Sequence, residues 1–133
     1  MRFASVMLLC FVGIATGAAA QTRDQFQILD RRDLAVAGQE AIVAIDRLAP
    51  SAETGWHAHP GDMVAYVTEG EITFEQEGRE PLVVRRGESF IIPAGVGHNS
   101  RNATGASAEM FVTFITTKDR PLSEPRRPGG GRR

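Results

Sequence analysis

The chain has 133 residues, 42% of them hydrophobic and 23% charged, and a formal net charge of −1. That length bounds it to one domain, and eight basic against fourteen acidic side chains over residues 21–117 exclude nucleic acid as the main partner. The single cysteine, Cys10, falls in an N-terminal apolar run, so a hydrophobic core rather than disulfides must hold the fold.

Residues 1–20, MRFASVMLLCFVGIATGAAA, place Arg2 ahead of an apolar run from Phe3 to Ile14 and end on Ala18 and Ala20. That order of basic start, apolar middle and small-residue end is expected of a signal peptide. A buried N-terminal helix is the alternative, and the run falls short of the ~20 residues that a permanent span needs. Cys10 follows Leu9 where a lipid attachment site wants a small residue, which rejects lipidation. Removal after Ala20 leaves a cysteine-free chain from Gln21 for an oxidising compartment. The expected location is periplasmic or secreted, without stable membrane insertion once the signal is gone.

Residues 21–39 read as an N-terminal arm, ambiguous between a short helix and irregular chain. From Glu40 the texture changes. The runs EAIVAIDRLA, MVAYVT, EITFEQ, PLVVRR, ESFIIP and EMFVTFITT are rich in β-branched residues, and Gly, Pro or Asn separates them. In EITFEQ, Ile72 and Phe74 share one face while Thr73 and Glu75 share the other. No segment after residue 40 has helical periodicity, and residues 40–117 are expected to form one all-β barrel or jelly roll. A strand near 40–48 could offer an exposed edge for a homodimer. Residues 118–133 carry six basic and two acidic side chains among Pro and Gly, and are expected as a disordered, solubilising tail.

All three histidines lie in two stretches, GWHAHPGDMVAYVTEG (55–70) and GESFIIPAGVGHNSRN (87–102). Residues i and i+2 of an extended chain face the same side, ~6.5–7 Å apart at Cα, so His57 and His59 can aim at one point. Alone, such a pair is equally an exposed polar face. Pro93 ends a strand, Gly95 permits the turn after it, and His98 would start the next strand facing inward. Asn102 can bond loop backbone, its usual duty near turns.

These stretches resemble the two signature motifs of the cupin superfamily. The second, G-x5-P-x-G-x2-H-x3-N, is matched at Gly87, Pro93, Gly95, His98 and Asn102. The first, G-x5-H-x-H-x3,4-E-x6-G, is matched at His57, His59 and Gly70, but Ser51 stands for its leading Gly and Met63 for its Glu. The resemblance covers about residues 40–117. It implies a cupin-type double-stranded β-helix, a jelly-roll barrel, similar to small quercetin-dioxygenase-like bacterial cupins. It also implies one divalent transition metal (zinc, copper, iron or manganese) held by His57, His59 and His98.

Met63 shares their parity and is read first as apolar pocket lining and second as a soft ligand. Asp62 points the other way unless Pro60-Gly61 makes a bulge. Second-shell partners for the histidines could be Glu69, Glu71 or backbone groups. The function expected is a metal-dependent, dioxygenase-like enzyme acting on an unknown small molecule. The alternative is a non-catalytic metal- or small-ligand-binding module, and a third reading has the histidines filling the barrel mouth without an ion.

Overall fold

A computed structural model describes residues 25–129. The expected signal peptide and the last four residues lie outside the described residues. Ten strands are present: β1 (Gln25–Asp33), β2 (Gln39–Leu48), β3 (His57–Ala58), β4 (Asp62–Glu69), β5 (Glu71–Gln76), β6 (Leu82–Arg85), β7 (Ser89–Ile92), β8 (His98–Arg101), β9 (Ala108–Thr117) and β10 (Glu124–Pro125). They form two five-stranded antiparallel sheets, ordered β1-β2-β9-β4-β7 and β10-β3-β8-β5-β6. No helix occurs among the described residues, and the all-β double-stranded β-helix expected from the sequence is the fold observed.

The alternation of side chains explains which face of each strand is buried. On β2, Ile42, Ala44 and Leu48 point inward; on β9, Met110, Val112 and Phe114 do. From the second sheet Ile72, Phe74 and Val84 meet them, and Phe90 and Ile92 of β7 in the first sheet complete the core. Phe74 is fully buried, with its ring centroid 3.7 Å from that of Phe90. Burying such a side chain contributes about 2–3 kcal/mol.

Two loops hold the ends of the barrel in register. Asn102 is completely buried, and its side-chain amide donates to the carbonyls of Leu48 (3.1 Å), Ala49 (3.1 Å) and Ala106 (2.7 Å). Its oxygen accepts from the Thr104 amide at 3.0 Å and hydroxyl at 2.7 Å. Ser51, standing where the motif has glycine, adopts φ 62°. The turn demands the left-handed region there, and serine occupies it at a cost that glycine avoids.

Three expectations change. The arm is neither helical nor irregular over Gln25–Asp33: it is a strand paired along β2, with a bulge between Ile28 and Asp30. Leu29 is the extra residue, and it breaks the alternation that would have identified the strand. Consequently β2 is not an edge, because β1 covers one side and β9 the other; the edges of that sheet are β1 and β7. Finally, the chain beyond residue 118 is not a disordered tail over its described part. Glu124 pairs with Ala58 and Pro125 with His57, so this segment adds a strand to the second sheet.

Candidate metal centre

The pairing of β3 with β8 places His57 directly opposite His98. His59 follows two residues later on the same side. The three rings converge, with centroids 4.3 Å apart for His57–His98, 4.8 Å for His57–His59 and 5.0 Å for His59–His98. One nitrogen from each lies within 4.8 Å of the others. His98 is completely buried, His59 is buried and His57 is half-buried.

Each Nδ1 lies against a backbone carbonyl: Gly55 for His57 at 2.7 Å, Leu122 for His59 at 2.7 Å, and Val96 for His98 at 3.0 Å. A carbonyl only accepts, so every Nδ1 carries a proton, and in the neutral form of each ring it is Nε2 that offers the lone pair. The Nε2 atoms of His59 and His98 are buried and have no hydrogen-bond partner among the described residues. Buried polar atoms are rarely left so, and two of them side by side in a cluster of imidazoles fit a bound cation.

Burial also keeps the rings of His59 and His98 neutral. Desolvation lowers His59 to about 4, against the opposing pull of the Leu122 carbonyl and with a smaller push from His57. It lowers His98 to about 3, with the Val96 carbonyl opposing and the two neighbouring histidines adding to the fall. Neither ring need lose a proton to bind a metal at neutral pH.

The cluster opens on a cavity of about 410 Å³ lined by Trp56, Met63, Met110, Val112 and Phe114, with Phe26 at its rim. Met63 is therefore an interior residue beside the histidines, in keeping with its parity. Asp62 stays outside, its Oδ1 accepting from the Ala94 amide at 2.9 Å, so no bulge brings that carboxylate in. Glu71 pairs with Arg85 at 3.0 Å, Glu69 is exposed, and the partners of the three rings are all backbone carbonyls.

Sequence reasoning missed three contributors. Asp46 lines the cavity from β2, and its parity with Ile42, Ala44 and Leu48 was the available signal. The ring of Phe114 packs edge-on against His59, with centroids 4.6 Å apart. Leu122 lies in the expected tail and acts through its carbonyl, which leaves no side-chain signature.

Two antiparallel sheets closed around a core, with three imidazoles gathered at one end, define a small barrel of metal-binding type. The family model for the cupin domain matches residues 44–114, more than half of the 133-residue chain, and the chain belongs to the cupin family. It is similar to the beta-alanine degradation protein BauB of Pseudomonas aeruginosa, with 37% identity over 81 residues, which are 59% of this chain and 81% of that protein. In structure it resembles a cupin superfamily protein from Desulfitobacterium hafniense, with a TM-score of 0.61 at 12% identity over 74% of this chain and 82% of that one. It also resembles an oxalate oxidase in complex with the substrate analogue glycolate, with a TM-score of 0.63 at 24% identity, over 80% of this chain and 56% of that one. These structural likenesses show the fold, and this chain spans little more than half the oxidase.

Proposed function

We propose that the protein is an exported, metal-dependent cupin enzyme of oxygenase-like type that acts on a small molecule. The observation that carries this reading is the convergence of three imidazoles, two with buried Nε2 atoms that have no hydrogen-bond partner among the described residues, on the wall of a mostly apolar cavity. His57, His59 and His98 would hold the ion. Three neutral nitrogens leave open positions, at which a metal supplies Lewis acidity and, if redox-active, electron transfer. Zinc, copper, iron and manganese are all compatible with imidazole to differing degrees, with copper and zinc favoured by affinity.

The cavity narrows the substrate class. Among the described residues, no lysine or arginine lines it. A second carboxylate on a substrate would be buried without a cation to pair it, which is costly. An ion held by neutral ligands nevertheless favours one anionic oxygen. The substrate best suited therefore presents a single anionic donor to the ion and an apolar body to Trp56, Val112 and Phe114. Export is supported by the composition of residues 1–20 and by the absence of cysteine from residues 21–133.

A non-catalytic binding module is the second reading, favoured by Met63 in place of the family's glutamate. The two are separated by supplying the metal-loaded protein with a panel of apolar monoanions, β-diketones and flavonoids, and following oxygen uptake and product. Turnover that disappears in His98→Ala supports the enzyme. Tight binding of panel members without turnover supports the module.

A further inference from the structure

The three rings are fixed by carbonyls of two kinds. Gly55 precedes His57 by two residues and Val96 precedes His98 by two, so those contacts are made within a single loop. The carbonyl that fixes His59 belongs to Leu122, 63 residues further along the chain. The segment around it walls the cavity, whose lining includes Leu122, Ser123 and Pro125.

Few bonds hold that segment to the barrel, and its one apolar anchor is the half-buried Leu122 side chain, packed against the core. Its two-residue strand, β10, pairs among the described residues with β3 alone. The Arg126 amide donates to the Trp56 carbonyl at 2.9 Å, and its guanidinium reaches the Gly95 carbonyl at 3.5 Å. The ion pair of Arg120 with Glu124, at 3.0 Å, is internal to the segment and does not tie it down. Along 121–126, residues alternate between exposed and half-buried, and none is buried. A segment with so few buried contacts opens well below the free energy of global unfolding.

We propose that residues 120–126 are a displaceable strap of the metal centre, which holds the ring of His59 through the Leu122 carbonyl while walling the cavity. Displacing the strap opens the cavity and loosens one of three ligands in the same movement, coupling access to the strength of the site. This rests on the reading of His57, His59 and His98 as metal ligands. Without the Leu122 carbonyl, the Nδ1 proton of His59 loses its acceptor and the ring loses the bond that fixes its tautomer and angle. Loss of such an outer partner lowers metal affinity by about 10–100-fold.

The test inserts a protease recognition site between Asp119 and Arg120 and compares one folded protein before and after cutting. The probe is Co²⁺, read by its visible absorption, by competition for its affinity, and by its rate of stripping with EDTA. Cutting is expected to release the strap, as seen by mass after gel filtration, to weaken Co²⁺ binding about 10–100-fold, and to speed stripping. Pro121→Ala changes an exposed strap position outside the cavity wall and is expected to hold Co²⁺ within about threefold of the parent. The proposal is overturned if the cut strap stays bound, if affinity is unchanged after its release, or if Pro121→Ala matches the loss on cutting. Uncut protein that binds no Co²⁺ would instead remove the metal reading, and the strap's role with it.

Discussion

Lowering the pH separates this metal centre from one built of ordinary exposed histidines. An imidazole of pKa 6.5 is protonated nearly completely at pH 5, and a metal must displace that proton at a cost of about 2 kcal/mol per ring. Three such ligands would lose about a thousandfold in affinity for each unit below pH 5.5. Here burial holds His59 at about 4 and His98 at about 3, so both stay neutral through that range. At most one ligand proton is left to compete, and affinity should fall by no more than about tenfold per unit between pH 5.5 and 4.5.

The same shifts act on the metal-free fold. The unfolded chain takes up protons on these rings below pH 6.5, whereas the folded chain resists until about 4 and 3. Stability is thus complete above pH 6.5 and is lost as pH falls, by up to about 1.4 kcal/mol per unit for each ring. Competition titrations with Co²⁺ or Zn²⁺ at stepped pH, with circular dichroism to mark where the fold persists, measure both effects. A thousandfold loss per pH unit while the protein is still folded would refute the assignment of His59 and His98 as buried, neutral ligands.

Met63→Glu restores the carboxylate of the family motif on an interior side chain and should tighten Mn²⁺ binding at least tenfold, read by competition; unchanged affinity would place residue 63 out of reach of the ion. Asn102→Ala removes three donated bonds and leaves buried carbonyls behind, so denaturant unfolding should show a loss of about 2–4 kcal/mol; a loss under 1 kcal/mol would show that the loops hold register without it. Ser51→Gly relieves the positive φ at a small entropic cost and should raise stability by about 0.5–1 kcal/mol in the same assay; a destabilised variant would contradict the strain.

What the sequence made legible follows from where its signals are carried. His57 and His59 share a face because of strand parity, and the resemblance of residues 87–102 to the second cupin motif implies that His98 joins them, so the cluster is legible in side chains at motif positions. Ser51 could be read as a departure from a motif, but only the backbone shows that it takes the conformation a glycine would. β1 was hidden because the extra residue at Leu29 shifts its register midway, leaving no continuous alternation. The strap was hidden for a different reason. Its Pro- and Arg-rich composition cannot form a core, yet it need not do so: it adds backbone pairing to β3 and one carbonyl to His59, and neither depends on side-chain identity.

The central claim is tested most directly by metal content. Residues 21–133 are expressed, purified without chelator and analysed by inductively coupled plasma mass spectrometry, beside His98→Ala prepared identically. About one transition-metal ion per chain in the parent, and nearly none in a folded His98→Ala, is the predicted result. A parent that stays empty even after Zn²⁺, Cu²⁺, Fe²⁺ and Mn²⁺ are supplied, or a His98→Ala that keeps its full complement, would contradict it.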